Sequence, residues 1–590
     1  MKKIIVYISG ILMGALLYSC SDFFEPTMKG NIEATTFYTN ITNIGYGLNS
    51  VFSLMQGETY QRSELLFGEA MSDNCWNTKD VGSGDFTDLF NFTFTTSNQY
   101  ILQRYQTNYQ GIYKCNQVIS SIPYVQYDTA FLNNVTSLRK WYAQAKILRA
   151  LFYFNLAKTF GGVSIQPETQ TIDSLIAPRS TLDETYAYIE KDLREAALNL
   201  QPTAYIAANA GGIDMSAGLG LLMKVLLYEA SPGTPLPNTN KAEKWQEALE
   251  IGKYLVDGAN ITVNDIVKFD ERYTGKETWD QFSKRLLLDP TVQPTTIMPD
   301  IHNAHGLYQN FDQLFRVVGE YCNESLIEIN HYNYGTVTNI NMNWPMNNYI
   351  NYQQAPDQLA QFYTAPTNEL CGLYANDPRG LLTVAVNRQM SNYFKYDAGQ
   401  YVGDPPNWWF NFGDFNQFSK FFTWPSEGGT PPANNNMRNY RVFRYAEVLL
   451  IYAEVLNETG NPTKAVDMVN RVRSRAMNLF NSTSISNQYQ TVPKANFVLQ
   501  DYAPYDIVRN DILQEKRIEM AGEGDRWFEI ARLGQLTQRM AYIATTAPAD
   551  PGGGPRHRGQ YFKPGVNEIF PIPQQEVFVS NGLIKQNYGY

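Results

Sequence analysis

The sequence has few charged residues, histidines and cysteines for a chain of 590 residues. Charged residues make up 18% of it, below the usual share of about a quarter. The formal net charge is −10, whereas surfaces that bind nucleic acid are basic. No apolar run reaches the roughly 20 residues that a membrane-spanning helix needs. These absences argue against a nucleic-acid partner and against a transmembrane helix.

The sequence also lacks the patterns of common catalytic and metal sites. Its four histidines are His302, His305, His331 and His557. Only His302 and His305 lie close together, just after Asp300, whereas a metal site needs three or four suitable ligands. There is no HExxH motif, EF-hand loop or phosphate-binding glycine loop, and no Ser–His–Asp pattern can be assigned. We therefore predict exposed loop histidines, no cofactor and no metal.

Five cysteines are present. One is Cys20, near the N-terminus. The others, Cys75, Cys115, Cys322 and Cys371, show no CxxC spacing of a metal site. Disulfides form in exported proteins, so pairing is left open here, and four separate thiols is the interpretation we favour.

Aromatic residues are abundant, with 40 Tyr, 32 Phe and 9 Trp. Disordered chains have few aromatics and high charge, so this composition predicts an ordered protein. The apolar share of 44% is enough for a buried core. With few charges, the surface is expected to be polar through hydroxyls, amides and rings.

The N-terminus predicts export. Lys2 and Lys3 precede a short apolar stretch over residues 4–17, which is typical of a signal peptide. The stretch ends in Leu-Tyr-Ser-Cys, which resembles a bacterial lipobox with cleavage before Cys20. We predict that residues 1–19 are removed and that a lipid on Cys20 anchors the protein to a membrane. The alternative is a plain secretory signal with an incidental cysteine.

Helical periodicity predicts helices in the first and last parts of the chain. Residues 141–160 are apolar on most sides, which indicates a buried helix, and the following Gly161 and Gly162 suit its C-terminus. Ser180 or Thr181 can cap the next helix, which runs to about Leu200. Further helices are predicted over residues 105–123, 215–230, 245–256, 444–460 and 463–477, and a last pair over 506–534.

Two other regions lack a helical period. Residues 258–436 are rich in Asn, Tyr, Trp, Pro and Gly, which predicts ordered loops, and long loops in compact proteins are often functional. The tail over residues 564–590 also shows no helical period. Between them, the pair over 444–477 resembles one tetratricopeptide-type unit.

Several blocks of the sequence are similar to one known family. They are RALFYFNLAKTFGGV (149–163), RYAEVLLIYAEVLNETG (444–460) with NRVRSRA (470–476), EKRIEMAGEGDRWFEIARLG (515–534) and FPIPQQEVFVSNGLIKQNYGY (570–590). Together with the lipobox, they make the chain resemble the SusD/RagB family of Bacteroidetes nutrient-uptake lipoproteins. Two positions depart from the family pattern, because Ser164 stands where a proline is common and the helix break near Ala521 has unusual residues.

The resemblance implies a mostly α fold, in which tetratricopeptide-like helix pairs form an α/α superhelical scaffold with long irregular loop insertions. It implies a signal peptide over 1–19, an N-terminal helical region over 20–235 and a C-terminal region over 236–590 that includes the insertion 258–436. It also implies a non-catalytic protein at the outer-membrane surface. Such a protein captures a glycan and delivers it to a SusC-like, TonB-dependent transporter.

Sugar binding gives the candidate residues. Flat rings cover the apolar face of a sugar, and amides, carboxylates and Arg bond its hydroxyls. In the family, a tryptophan after the first helix often lies at the binding surface, and Trp76 is at a matching place. Asp73 and Asn74 precede it, and Arg62 lies upstream. The alternative is that Trp76 belongs to the core and Asp73 is structural.

A second candidate segment contains Tyr332, Tyr334 and Trp344 among many Asn. A loop aromatic from this region also contacts ligand in related proteins. A third candidate is the pair Trp408 and Trp409, of which one ring at most is expected to be exposed and could equally face the transporter.

The charged family blocks suggest a catalytic interpretation, which we do not favour. Glu447 and Glu454 are seven residues apart, about 10.5 Å along a helix, whereas paired glycosidase carboxylates lie roughly 5–9.5 Å apart. We instead predict ion pairs between packed helices for the charged residues of these blocks. They are Arg444, Glu447, Glu454, Arg473, Arg475, Glu519, Arg526 and Glu529.

Three other functions are kept as alternatives to glycan capture. The same assembly could import peptides, in which case the site would rely more on backbone hydrogen bonds. The protein could be a surface glycoside hydrolase or a purely structural helical adaptor. Peptide binding without sugar binding, slow release of reducing ends, or unchanged uptake after removal of Trp76 and Trp344 would distinguish them.

Overall fold

The structure is a computed structural model. It describes residues 37–38, 40–77, 84–122, 125, 129–169, 177–200, 213–269, 276–331, 364–385, 396–397, 400–401, 417–418, 420, 438–481, 497–501, 503–546 and 558–590. The predicted signal peptide and Cys20 lie outside these residues. The described chain is predominantly helical, so the predicted mostly α fold is confirmed.

Long helices make up the part of the scaffold that precedes residue 260. They are α1 (Ile41–Gln56), α2 (Glu58–Leu65), α3 (Asp85–Phe90), α4 (Gln99–Ser121), α5 (Thr129–Phe160), α6 (Leu182–Ala197), α7 (Met215–Ala230) and α8 (Lys241–Asp257). A π-helical turn, Leu66–Ala70, continues α2. The predicted helices in this region are all present, although α4, α5 and α8 begin before their predicted starts.

A second group of helices forms the C-terminal part. They are α14 (Tyr445–Glu458), α15 (Pro462–Met477), α16 (Tyr505–Glu519), α17 (Arg526–Arg532), α18 (Leu536–Thr545) and α19 (Gln574–Val579). Short helix α19 contradicts the prediction of a tail without helix. Pro573 precedes this helix, and a six-residue segment is too short to show a period in the sequence.

Between the two groups, the described residues form short helices and strands. The prediction of ordered loops over 258–436 falls in part on residues outside the described ranges. The helices are α9 (Val263–Val267), α10 (Trp279–Arg285), α11 (Phe311–Leu314), α12 (Asn368–Leu373) and α13 (Gly380–Thr383). The strands, with β1 (Cys75–Asn77) from the N-terminal part, are β2 (Ser325–Ile329), β3 (Thr364–Pro366), β4 (Val384–Ala385), β5 (Tyr396–Asp397), β6 (Gln400–Tyr401), β7 (Gln417–Phe418) and β8 (Tyr440–Arg444). They form antiparallel pairs, β1 with β3, β2 with β8, β4 with β7 and β5 with β6.

Helices that follow one another in sequence pack against one another. The run is α4, α5, α6, α7 and α8, after which α8 and α7 contact α14, and α14 contacts both α15 and α16. This arrangement of helix pairs is the predicted superhelical scaffold. One continuous core follows it from Ile44 in α1 to Ile584 near the C-terminus.

The central helix of this run is α7, whose 16 residues are all buried. Its sequence, MSAGLGLLMKVLLYEA, has no polar face, which is typical of a helix surrounded by others. Gly220 permits close packing, because a Cβ there would lie 2.9 Å from the Phe443 ring. The carboxylate of Asp214 caps the helix by accepting from the Ala217 amide at 3.0 Å. The apolar character of this segment therefore predicts its position correctly.

The ends of α5 and α6 show how local sequence sets the boundaries. Gly161 ends α5 with φ of 78°, a left-handed conformation that glycine adopts without steric cost. Thr181, rather than Ser180, caps α6, and its side chain and that of Glu184 form a reciprocal capping box. Ser164 makes a single bridge to Arg179, so the pairing expected after the glycine turn is present at one residue.

Two further expectations concern the membrane and the cysteines. Within the described residues, no helix is both long and apolar enough to span a bilayer. Cys75 and Cys115 are buried, Cys322 and Cys371 are half-buried, and all four are free thiols. The interpretation of four separate thiols is therefore confirmed.

Candidate functional site

The predicted ligand-binding residues fall into two groups. Trp344, Tyr332 and Tyr334 lie outside the described residues, as do Trp408 and Trp409. The second group, Arg62, Asp73, Asn74 and Trp76, lies on α2, on the turns after it and in β1. The surroundings of this second group are described, and they form the framework of the candidate site.

Strands β1 and β3 connect this framework to the aromatic segment that follows β2. In their antiparallel pair, Asn77 lies opposite Thr364. The predicted aromatic residues lie in the sequence between His331 and Thr364, and the Asn330 carbonyl accepts from Gln56 Nε2 of α1 at 2.6 Å. The described residues on either side of positions 332–363 therefore lie close to α1 and β1.

The Trp76 side chain points into the protein. Trp76 is 7% exposed, and its cross-strand partner Ala365 is 1% exposed. Its neighbour Cys75 is also buried. A ring with so little free area offers little surface for stacking on a sugar, so this burial favours the alternative in which Trp76 is an interior residue. A ligand contact by Trp76 stays a prediction.

Asp73 lies at the centre of a buried group of charges, the Asp73 cluster. Its carboxylate, with 0% of the side chain exposed, accepts from Arg526 Nε at 2.8 Å and from Arg539 Nε at 2.6 Å. Arg517 approaches the same carboxylate at 3.3 Å and also binds Glu369 at 2.7 Å. We define the cluster by its five members, which are Asp73, Glu369, Arg517, Arg526 and Arg539.

The electrostatics of this cluster keep Asp73 ionised. Burial alone raises the pKa of a carboxyl. Here the guanidiniums of Arg517, Arg526 and Arg539 outweigh that effect and hold the pKa of Asp73 well below its usual range. Since its oxygens are occupied by arginines, this carboxylate acts as a tie between the turn before β1 and helices α16, α17 and α18. The structural alternative for Asp73 is thus favoured.

Asn74 links the Asp73 cluster to the π-helical turn through hydrogen bonds. Its amide donates to Glu69 Oε1 at 2.8 Å, and its carbonyl oxygen accepts from Arg517 Nε at 2.8 Å. Burial raises the pKa of the Glu69 carboxyl. The turn also packs closely on the loop before α17, because a Cβ on Gly68 would lie 1.6 Å from the Gly524 carbonyl oxygen. Only glycine at position 68 allows this approach.

Arg62 belongs to a different surface. Its guanidinium donates to Glu58 at 3.1 Å and to Gln103 Oε1 at 2.8 Å. It also lies over the ring of Tyr100, 5.6 Å from the centroid. Its side chain keeps 16% of its surface exposed, so Arg62 faces α4 and solvent rather than the Asp73 cluster. Of the described candidates, it has the most accessible side chain for a ligand.

Sequence reasoning missed three members of the Asp73 cluster, Arg517, Arg539 and Glu369. Arg517 stands in the family block 515–534, which was a signal that could have been used. Arg526 was predicted to pair between helices, but its partner is Asp73. Arg539 and Glu369 carry no local signal, because their partnership joins elements that are 170 residues apart in the chain.

The carboxylates of the family blocks form ion pairs, as predicted. Glu447 binds Lys224 at 2.6 Å, whereas Glu454 binds Arg532 at 2.7 Å. Each carboxylate thus has a cation of its own and the two do not form an acid–base pair. The other predicted residues are also paired. Arg473 binds Glu515, and Glu529 binds Lys516 and Arg532. Arg526 belongs to the Asp73 cluster, and Arg444, Arg475 and Glu519 belong to a second cluster that is described next.

A second group of charges, the Glu519 cluster, lies deep in the scaffold. Glu519 binds Arg444 and Arg379, both at 2.7 Å, and also Arg475. Glu324 binds Arg444 at 2.8 Å and Arg475 at 3.0 Å. Burial raises the pKa of the Glu519 carboxyl, but its three arginines outweigh this and leave the pKa well below its usual range. The cluster consists of Glu324, Arg379, Arg444, Arg475 and Glu519.

His557 lies outside the described residues, and the other three histidines have separate surroundings. His302 bonds to Asp300 at 2.6 Å, and His305 bonds to Asp214 at 2.8 Å. His305 and His331 are 5% and 7% exposed, so the prediction of exposed loop histidines is wrong for both. His305 lies between Asp214 and the Asn323 carbonyl, and His331 lies beside Gln61 and Asn439, contacts that a sequence pattern does not reveal. Across the described ranges, no three residues of His, Cys, Asp or Glu come together as metal ligands.

Comparison with known proteins identifies two family models in this chain. A model described as "SusD family" matches residues 328–590, and one described as "Starch-binding associating with outer membrane" matches residues 27–227. Among characterised relatives, a SusD-like protein, P38, of Formosa agariphila is 24% identical over 540 residues, which cover 90% of this chain and 91% of the relative.

Solved structures share the fold. A laminarin-binding SusD-like protein is 24% identical, with a TM-score of 0.62, and the match covers 94% of this chain and 100% of that protein. Surface glycan-binding protein A from Bacteroides thetaiotaomicron, solved with laminarihexaose, is 18% identical with a TM-score of 0.62, and the match covers 93% of this chain and 100% of that protein.

Proposed function

Because the chain belongs to the SusD family, we propose that it is a glycan-binding protein of the outer-membrane surface. It captures an oligosaccharide or polysaccharide and delivers it to a SusC-like, TonB-dependent transporter. It does so without catalysis.

The observation that carries this proposal is the match of two SusD-type models, in order, over residues 27–227 and 328–590. A full-length relative and full-length solved structures support it, since they cover at least nine-tenths of this chain. A role beyond the fold must be argued from the site. Here the aromatic, Asn-rich character of the segment after β2 supplies that argument.

The cargo class follows from the neighbours and from the chemistry of the loops. One neighbour is described as laminarin-binding and another is solved with laminarihexaose. We therefore propose β-glucans of the laminarin type as the first ligands to test. Peptide cargo, the earlier alternative, is an outcome of the same test.

We place the glycan contacts on Trp344, Tyr332 and Tyr334, with Arg62 at their edge. Support comes from the described residues on either side of positions 332–363, since Thr364 pairs with β1 and the Asn330 carbonyl bonds to α1. Asp73, Asn74 and Trp76 then act mainly indirectly, because they hold β1 in place and with it the pairing of β1 with β3. A direct ligand contact by these three residues remains part of the proposal for the loaded protein.

The membrane anchor is the lipid on Cys20. The lipobox motivates this part of the proposal, and the description of the matched model as associating with the outer membrane supports it. A single acyl chain binds membranes only marginally, so stable anchoring needs a second hydrophobic group. A lipoprotein cysteine that carries several chains would meet this requirement.

Two experiments test the proposal. In the native organism, pull-down of the tagged protein should recover an outer-membrane barrel, and Cys20→Ala should release the protein from the membrane fraction. Recovery of no barrel in mild detergent would contradict the transporter role.

In affinity electrophoresis, laminarin should retard the protein and not the Trp344→Ala variant. The control is Trp279→Phe, which changes a half-buried tryptophan of α10. Equal retardation of Trp344→Ala would contradict the placement of the site.

A further inference from the structure

Helix α1 has no charged residue, although one of its sides faces solvent. The outer side of a surface helix is typically charged or polar, yet the 16 residues of α1 include no acidic or basic residue. Its exposed residues are Thr42, Tyr46, Asn49 and Ser53. The outer side of this helix therefore presents hydroxyls, an amide and one aromatic ring.

The neighbouring helix α4 has the same character on its outer side. Its exposed residues are Gln99, Gln110 and Tyr113. The helix has two charged residues, of which Arg104 is fully buried and Lys114 is half-buried. The exposed residues of both helices are thus uncharged, and both helices expose a tyrosine.

A hydrogen bond brings the two outer sides together. Lys114 Nζ donates to Ser50 Oγ of α1 at 3.4 Å. Ser50 lies one helical turn after Tyr46, and Lys114 directly follows Tyr113 in the chain. The exposed residues of the two helices therefore lie side by side. We define the α1–α4 face by five of them, which are Tyr46, Asn49, Ser53, Gln110 and Tyr113.

The two tyrosines of this face have free ring area. Tyr46 is 59% exposed and Tyr113 is 48% exposed, whereas Trp76 is only 7% exposed. Gln117 Nε2 donates to the Tyr113 hydroxyl at 2.7 Å and so holds that ring in one orientation. Both rings are therefore available for stacking, and they stand on helices rather than on loops.

Tyr38 fills the space between the two exposed rings. A Cβ on Gly47 would lie 2.5 Å from the Tyr38 ring, so glycine at this position lets the ring pack on α1 directly after Tyr46. Tyr38 also lies beside Tyr113, which adds to the effect of burial in raising the pKa of the Tyr38 hydroxyl. Packing thus fixes the surface from which Tyr46 and Tyr113 project.

The α1–α4 face is continuous with the surface of Arg62. The Arg62 guanidinium donates to Gln103 of α4 at 2.8 Å. Gln106, Gln110 and Tyr113 follow at the spacing of three or four residues that keeps side chains on one side of a helix. Gln103 and Tyr113 are about 15 Å apart along the helix axis. The outward side chains of α4 between them are amides.

We infer that the α1–α4 face is a further carbohydrate-binding surface, along which a neutral glycan chain continues from the side of Arg62. The exposed rings offer apolar area to the C–H face of a sugar. Sugar hydroxyls both donate and accept, so they match the amides of Asn49 and Gln110 and the hydroxyl of Ser53.

Other partners fit this face less well. Nucleic acid and membrane surfaces are bound by basic groups, whereas the exposed residues of this face are uncharged. The centre of a protein interface is apolar, but no aliphatic residue of α1 or α4 is exposed. The inference rests on the proposed function for the class of ligand. It adds that the ligand is a chain long enough to reach from Arg62 to Tyr113.

The experiment is calorimetric titration of the full mature chain with laminarin. Tyr46→Ala combined with Tyr113→Ala removes both rings, and the affinity should fall about tenfold. Tyr46→Phe combined with Tyr113→Phe keeps the rings and should retain most of the affinity. Tyr588→Ala is the matched control, because Tyr588 is 86% exposed but lies on the C-terminal tail, where Gly589 packs against Val566.

A second measurement reports on the face without any substitution. Exposed tyrosines of the wild-type chain are nitrated with tetranitromethane, with and without laminarin, and the modified positions are found by mass spectrometry. Bound laminarin should protect Tyr46 and Tyr113 and leave Tyr588 as reactive as before.

The outcomes separate this inference from the proposed function. Wild-type protein that binds no laminarin contradicts the proposed cargo class and the inference with it. Wild-type binding that is unchanged in the double alanine variant, without protection of either tyrosine, overturns the inference alone. An equal loss of affinity in the double phenylalanine variant or in Tyr588→Ala would also overturn it. So would loss of the barrel from the pull-down with unchanged laminarin affinity, which would assign the face to the transporter.

Discussion

The Asp73 cluster and the Glu519 cluster use the same chemistry at different depths. In both, three arginines surround one central carboxylate, Asp73 or Glu519. Every member of the Glu519 cluster has at most 1% of its side chain exposed. In the Asp73 cluster, Arg526, Arg539 and Glu369 keep between 18% and 22% of their side chains exposed.

The two clusters differ in what they hold together, since the deeper one lies within the scaffold and the other supports the candidate site. The Glu519 cluster joins β8, α15 and α16 with α13 and the turn before β2, all within the scaffold. The Asp73 cluster joins the scaffold to the turn that leads into β1. A buried ion pair is weak evidence for net stability, but loss of one partner leaves a costly unpaired charge. Single substitutions therefore test each cluster.

The largest effect is expected in the Glu519 cluster. Glu519→Ala leaves Arg379, Arg444 and Arg475 without their shared carboxylate in a fully buried position. The free energy of unfolding should fall by about 3–5 kcal/mol, as measured by chemical denaturation. Asp280→Asn is the control, because Asp280 pairs with Lys284 on the surface with 72% of its side chain exposed. A loss below about 1 kcal/mol for Glu519→Ala, as exposed pairs give, would contradict this account.

A smaller loss of stability is expected for Asp73→Asn. The three arginines of this cluster are nearer to solvent than those of the Glu519 cluster, so we expect about 2–3 kcal/mol. Glycan affinity should fall more than in Glu519→Ala variants measured at equal folded fraction, because β1 loses its tie. Calorimetric titration of both variants below their unfolding transitions compares the two. Unchanged affinity in Asp73→Asn would show that the cluster does not support the site.

His331, a buried histidine beside Gln61, gives a pH dependence. Burial lowers the pKa of His331 to about 4 from 6.5. A histidine with a depressed pKa contributes stability above pH 6.5 that is lost as the pH falls toward 4, because the unfolded chain takes up the proton first. Between pH 7 and pH 5, wild type should lose about 2 kcal/mol more than His331→Gln.

The measurement for His331 is denaturation of both proteins at pH 7, 6 and 5. His305 is the internal contrast, since its bond to Asp214 raises its pKa despite the opposing effect of burial. Its contribution is present below pH 6.5 and is lost as the pH rises. Parallel pH profiles for wild type and His331→Gln would contradict the burial of a neutral His331.

The smallest effect on stability is expected at Arg62. Its pair with Glu58 is partly exposed, so Arg62→Ala should change the free energy of unfolding by less than about 1 kcal/mol. Glycan affinity should nevertheless fall by about fivefold if the guanidinium bonds a sugar hydroxyl. Glu58→Ala, which removes the ion-pair partner of Arg62 and leaves Arg62 itself unchanged, is the matched control. Equal glycan affinity in Arg62→Ala and wild type would remove Arg62 from the site.

The fold was predictable from the sequence where local signals were strong. The apolar character of 215–230 and the glycines after residue 160 gave helix positions that the structure confirms. The partners of the charged family residues were not predictable. Asp73 finds Arg539 across 466 residues, and such pairing depends on the assembled fold rather than on spacing. The same reason explains why His305 was predicted to be exposed, since its partner Asp214 belongs to the cap of α7.

The candidate site was predictable only in outline. Trp76 is a residue type that can stack on a sugar, yet its position in β1 buries the ring. A sequence shows which residues can stack, but strand pairing decides which face they turn to.

The most direct test is calorimetric titration of the mature chain, from Ser21 onward, with a panel of plant, fungal and host polysaccharides that includes laminarin. We predict heat of binding with one glycan class, and loss of most of that heat in Trp344→Ala. Binding of peptides and of no glycan would contradict the central claim, provided that the panel also fails to bind the intact complex with the transporter.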